Sequence, residues 1–204
     1  MKYIKQICRI AEIISYYLLP AILLGIYFFA PQGLLYELQE GLGEYAQWLL
    51  LFVLFIKPVS VIFNKIQILR IAVGLRRQLG IATFYLTAAH VLFYAKTIGI
   101  DVFTLIGNSL QQVDGLFYGT LASIGMLILY ITSNRFSTVK LKKWWKRIQR
   151  LAYPVLFLVL AHAGLMEGEG YTKVLAIGGL YIVVRIIERW VVSKRKAQKQ
   201  KKAN

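Results

Sequence analysis

His90 and His162 are the only two histidines in a chain of 204 residues, and both fall inside apolar stretches long enough to cross a bilayer. An ionisable side chain at that depth is costly and marks a functional site by default. Each follows a basic residue at nearly the same interval: Arg77 precedes His90 by 13 positions, and Arg150 precedes His162 by 12. At about 1.5 Å of rise per residue, both imidazoles stand roughly 18 to 20 Å from the basic ends of their helices. The two helices run in the same direction, so as neighbours in a bundle they can present both rings to one planar ligand. Neutral imidazole is a common iron ligand. Two imidazoles facing each other across a porphyrin fill both axial positions, which suits electron transfer better than oxygen chemistry. The expectation is one heme b, with His90 and His162 as the axial ligands of its iron. A lone histidine reads more simply as an interhelical hydrogen bond that helps pack the bundle, but two at matched depth on parallel helices favour the heme.

Small residues flank both positions: Ala88 and Ala89 beside His90, and Ala161, Ala163 and Gly164 beside His162, with Thr87, Phe93 and Tyr94 about one turn from His90. Such neighbours let a large ring approach the backbone. Lys96, six residues beyond His90, is a candidate partner for a heme propionate, set against the plainer reading of a lysine whose stem lies along apolar surface with its amine at the interface. Cys8 is the only cysteine. An intrachain disulfide, a thiolate metal cluster and the Cys-x-x-Cys-His attachment of a c-type heme are thereby excluded.

The elements that must hold these residues are membrane helices. Hydrophobic residues make up 58% of the chain and aromatics 14%, a membrane composition. A crossing needs about 20 mostly apolar residues, and such stretches recur near 10–30, 45–63, 79–99, 117–134, 151–167 and 173–192. The expected fold is an all-α integral membrane bundle of six transmembrane helices in one domain, 1–192, followed by a basic tail, 193–204. That leaves no room for a soluble nucleotide- or flavin-binding domain of about 100 residues. The first apolar run follows Lys2, Lys5 and Arg9 as a leader would, but it is too long, and Ala30-Pro31 makes a poor cleavage site. It is read as the first helix, kinked at Pro20. Gly41 and Gly43 are expected in the first outer loop, and Pro58 at the end or a kink of the second helix. Residues 57–78 form an inner linker with an amphipathic interfacial helix on Ile66, Ile68, Leu69, Ile71 and Leu75. The stretch from Lys140 to Arg150, carrying Trp144 and Trp145, reads likewise. From Lys194 onward no apolar face remains, so disorder is expected there.

Charge sets the orientation. With a cytoplasmic N-terminus, the inner segments hold 23 of the 25 basic residues, while the outer loops hold seven of the nine acids with only Lys96 and Lys173 beside them. Every loop obeys the positive-inside rule, and both termini are expected in the cytoplasm. The net charge of +16 therefore reads as topology and contact with anionic lipid rather than nucleic-acid binding. A docking surface for an acidic cytosolic reductase is the sharper alternative.

Several motifs, taken in order, resemble the ferric-reductase-like transmembrane superfamily, and within it the heme-binding membrane subunits of methionine-sulfoxide reductase systems. The likeness runs from about Gly43 to about Met166. It includes Trp48-Leu49-Leu50, the Lys57-Pro58 pair, and Arg76-Arg77-Gln78-Leu79-Gly80 followed by His90. Thr132-Ser133 closes the fourth helix, and Trp145 to Tyr153 resembles a Trp-x-x-Leu-His-x-x-x-Tyr segment, with His162 at the next histidine of the pattern. Gln149 departs from it, standing where that segment has a histidine. The superfamily stacks two hemes across that interval, and with Arg77 and Gln149 at the inner level only the outer heme is expected. The resemblance implies a prokaryotic plasma (inner) membrane protein fed by quinol or by a cytosolic flavin reductase, with quinone or FMN as further cofactor candidates, and an extracytoplasmic redox partner as acceptor. Tyr153 is a candidate for lining a quinone pocket.

Two other functions compete. A small proton-coupled transporter or channel could relay protons through the two histidines, but every acid except Glu12 and Glu188 lies in an outer loop. An intramembrane hydrolase needs an activated serine opposite a histidine. Ser123 has Leu121 where the required turn has a glycine.

Overall fold

The computed structural model describes residues 2–201, and every regular element among them is helical. Helices α1 (Lys2–Ile13) and α2 (Leu19–Phe29) are joined by a π turn, Ile14–Leu18. The wide turn ends two residues before Pro20, whose missing N–H breaks the regular ladder. Ala30 and Pro31 are extended and turn the chain into α3 (Gln32–Ile62).

Helix α3 has 31 residues and corrects one expectation: Gly41 and Gly43 lie within it rather than in a loop. Pro58 stands inside its last turns, four residues before its end at Ile62. Leu35, Leu38 and Leu42 recur at helical spacing and pack with Leu23, Ala89 and Phe93. That packing outweighs the roughly 1 kcal/mol that each glycine costs a helix interior. The inner linker contains α4 (Gln67–Gly74), as its amphipathic pattern implies. Next come α5 (Arg76–Thr97), α6 (Val102–Ser109), α7 (Gly115–Ile131), α8 (Arg135–Leu141), α9 (Lys143–Ile148), α10 (Ala152–Met166) and α11 (Gly179–Lys201).

Helix α6 was read as loop. Its start is fixed by Asp101, whose Oδ1 accepts the amides of Phe103 and Thr104 at 2.9 and 3.0 Å, satisfying two of the donors a helix N-terminus leaves free. The Thr104 hydroxyl and these amides hold the Asp101 carboxyl below the usual carboxylate range. Asp114 caps α7 in the same way through the Phe117 amide, at 3.0 Å. The segment from Lys194 to Lys201, expected to be disordered, continues α11. Arg195 anchors it by donating to the carbonyls of Val61 and Ile62 at 2.7 and 3.3 Å, which supplies partners for the exposed C-terminus of α3. Residues 202–204 of the expected tail lie outside the described residues.

Among the described residues four segments are long and apolar enough to cross a membrane: Gln6–Phe29, Gln32–Ile62, Arg76–Thr97 and Lys143–Met166. A fifth is the pair α7–α8 taken together, bent by 88° at its break. The molecule is a helical membrane bundle. The last apolar stretch, 173–192, is helical but interrupted by Arg185, Glu188 and Arg189, which lowers its hydropathy. Two buried clusters fill the bundle, one around Leu54, Met126, Leu156 and Leu160, the other around Leu23, Leu35, Ala89 and Phe93.

Candidate functional site

Helices α5 and α10 bring the rings of His90 and His162 together, edge towards face. Their ring centroids are 6.3 Å apart and their planes cross at 70°. Each ring is held by the backbone of a third or fourth helix: His90 Nδ1 lies 2.6 Å from the Gln39 carbonyl of α3, and His162 Nδ1 lies 2.8 Å from the Gly115 carbonyl of α7. A carbonyl oxygen can only accept, so the proton sits on Nδ1 in both rings and Nε2 carries the free lone pair.

The clearance for this arrangement comes from residues that sequence reasoning missed. A Cβ on Gly43 would stand 2.9 Å from both Cε1 and Nδ1 of His90, and one on Gly119 would stand 2.8 Å from Nδ1 of His162. The small residues beside the histidines serve other contacts. Ala89 is part of a packed cluster, and a Cβ on Gly164 would meet the Gly170 carbonyl in the turn after α10. Gln39 is itself buried, and its side-chain Oε1 accepts from the Thr97 hydroxyl at 3.3 Å, which ties α3 to the far end of α5. The Lys96 amine donates to the Tyr27 carbonyl and stands 4.7 Å from the centre of the Tyr27 ring, joining α5 to α2. The Ser123 hydroxyl donates to the Gly119 carbonyl at 2.9 Å.

The family described as ferric reductase-like transmembrane component matches residues 40–160, more than half of the chain. The chain belongs to this family. Among curated proteins it is 26% identical over 158 residues to the protein-methionine-sulfoxide reductase heme-binding subunit MsrQ of Caulobacter vibrioides, a match that covers 76% of this chain and 72% of that protein. No solved structure matches the chain.

In this ferric reductase-like chain Gln149 stands at the basic end of the bundle, at the position where the motif it resembles has a histidine. Gln149 Nε2 donates to the Thr132 hydroxyl at 3.0 Å, Trp145 donates to the Thr132 carbonyl at 2.9 Å, and Arg77 pairs with Glu12 at 3.2 Å. Between this level and the histidines, the hydroxyls of Tyr85 and Tyr130 are 2.7 Å apart, and Phe84 stacks on Tyr130 at 4.1 Å. Tyr153 and Tyr181, with ring centroids 6.1 Å apart, line a groove of about 250 Å³ together with Phe157, Ile182, Arg185 and Arg189. Glu37, Glu40 and Glu44, expected in an outer loop, lie within α3, while Glu12 pairs with Arg77 and Glu188 with Arg185. Neither histidine is bonded to a carboxylate among the described residues, which removes the main support for a proton-relay reading.

Proposed function

We propose that this family member is a heme b-carrying electron-transfer subunit of the membrane, in which His90 and His162 are the two axial iron ligands through Nε2. The observation that carries this reading is the separation of the two rings, 6.3 Å between centroids. Imidazole–metal bonds run about 2.0 to 2.1 Å, and two in line, with each ring nitrogen about 1 Å from its ring centre, span about 6 Å. Both Nδ1 protons are engaged by carbonyls, the outer-shell arrangement that metal-bound histidines almost always have. The similar Caulobacter protein is named a heme-binding subunit, which supports the same cofactor here.

When bound, heme b would supply a one-electron carrier. The chain's own residues would hold the two imidazoles in place through the Gln39 and Gly115 carbonyls. A reading of a single heme, in the outer half of the membrane, is supported by the basic end, where Gln149 and Arg77 bond to Thr132 and Glu12. The proposal includes six crossings, with α11 as the last, both termini in the cytoplasm of a prokaryotic cell, and the acidic loops facing out. Electrons enter at the basic end from quinol or a cytosolic flavin reductase, the aromatic groove at Tyr153 and Tyr181 being the candidate quinone or FMN contact. They leave to an extracytoplasmic redox partner, on which the substrate chemistry takes place.

The test is a reduced-minus-oxidised spectrum with a pyridine hemochrome count on protein purified in detergent from heme-sufficient cells. One b-type heme per chain is expected. Ring planes crossing at 70° leave the two iron d orbitals that accept from them nearly equal in energy, so the oxidised protein should give a low-spin resonance with a single large g value rather than a rhombic triplet. Absence of heme overturns the reading, and two hemes per chain overturns the assignment of Gln149 and Arg77.

A further inference from the structure

We infer that Gly43 and Gly119 are positioning residues: they uncover the carbonyls of Gln39 and Gly115 so that these bind the Nδ1 protons of His90 and His162, which commits both Nε2 atoms to iron and lowers the reduction potential of the heme. The part concerning potential rests on the heme reading above, whereas the part concerning the tautomer stands without it.

The same device occurs twice, on two different helices. In each case the histidine meets the carbonyl of residue i, and residue i+4 is glycine: Gln39 with Gly43, and Gly115 with Gly119. A helical carbonyl has two lone pairs and uses one of them on the amide of residue i+4. The second points outward, and because every Cα–Cβ bond tilts toward the helix N-terminus, the side chain at i+4 overhangs it. A Cβ at either glycine would come within 3.0 Å of the imidazole, so any other residue pushes the ring off its carbonyl. Other glycines of the same two helices lack this role. A Cβ on Gly41 of α3 meets only the Tyr45 ring, at 3.8 Å, and one on Gly125 of α7 runs into the Val155 side chain.

The consequence for the iron follows from the direction of donation. An imidazole that gives its N–H to an acceptor becomes a more basic ligand and favours the ferric over the ferrous ion. Two such ligands act in the same direction, which suits a heme that must give its electron away.

This chain has two histidines, so selective ¹⁵N-histidine labelling yields only two rings to assign. Dithionite reduction makes a bis-imidazole heme diamagnetic and leaves both rings observable by NMR. Both are expected to carry the proton on Nδ1. Gly43→Ala should perturb that proton in the His90 ring alone, and Gly119→Ala in the His162 ring alone. Each should raise the midpoint potential, or lower heme occupancy by about ten-fold, the usual loss when an outer-shell partner is removed. Gly41→Ala is expected to change neither, and Gly125→Ala to lower the melting temperature with the potential unmoved. A proton on Nε2 in the unsubstituted protein overturns the inference. So does a shift in potential, or a loss of heme, as large in Gly125→Ala as in Gly43→Ala and Gly119→Ala. Should the purified protein hold no heme, the tautomer measurement proceeds unchanged, and the functional reading fails without deciding this one.

Discussion

Replacing either His90 or His162 with glycine should abolish the six-coordinate spectrum of the protein, and imidazole added to the detergent solution should restore it. Each ring is one of two 6.3 Å apart, so loss of either would leave iron with one protein ligand, and heme occupancy is expected to fall by well over the roughly ten-fold expected for an outer-shell partner. Glycine rather than alanine leaves the full volume of the ring free, with an uncovered carbonyl at its edge: Gln39 in one case, Gly115 in the other. Free imidazole can bond to that carbonyl through one nitrogen and bind through the other. A histidine that served only to join helices behaves otherwise. Its removal would weaken the bundle by about 1 to 2 kcal/mol, read as a lower melting temperature, without changing the heme content. The measurement is heme-to-protein stoichiometry with and without imidazole. Unchanged stoichiometry in either variant removes that histidine from the iron.

The histidine pair was legible because two independent regularities in the sequence coincide. Long apolar stretches gave helices, and the basic residues at Arg77 and Arg150 marked a common starting depth for two of them. The structure brings those two rings together. Their anchors were not legible, since the partners of Nδ1 are backbone carbonyls and an acceptor present at every residue leaves no mark in sequence. Gly43 was visible but misread. Among Glu37, Glu40 and Glu44 it looked like part of a polar turn, and only the Leu35, Leu38, Leu42 spacing would have argued for helix. Helix α6 carried its own signal, an Asp101 cap followed at the third position by Thr104, which was absorbed into a loop because eight residues are too few to cross a membrane. The end of α11 lacked a local signal altogether. Its order comes from Arg195 meeting the last carbonyls of α3, a contact between residues more than a hundred positions apart. The count of spans depends on α11 for a related reason, since Arg185, Glu188 and Arg189 make hydropathy a poor guide there.

The second large effect is expected at Phe93, and it separates the stability of the bundle from its chemistry. Phe93 is 1% exposed, stacks on Tyr27 at 6.2 Å, and packs with Leu23, Leu35 and Ala89, so it holds α2 and α3 against the helix that carries His90. In a bilayer the loss on truncation is not a transfer to water, because lipid tails are as apolar as the core. What is lost is dispersion contact and shape fit. Phe93→Ala should therefore destabilise by about 2 to 3 kcal/mol, somewhat below the range for soluble cores, with Phe93→Leu recovering more than half. The readout is thermal or denaturant unfolding in detergent, alongside the heme spectrum. The His90 ring keeps its Gln39 carbonyl and its Gly43 clearance in both variants, so stoichiometry and potential should hold while the melting temperature falls. If instead Phe93→Ala sheds heme as readily as His90→Gly, then Phe93 grips the macrocycle, and the packing against Tyr27 is secondary to that contact.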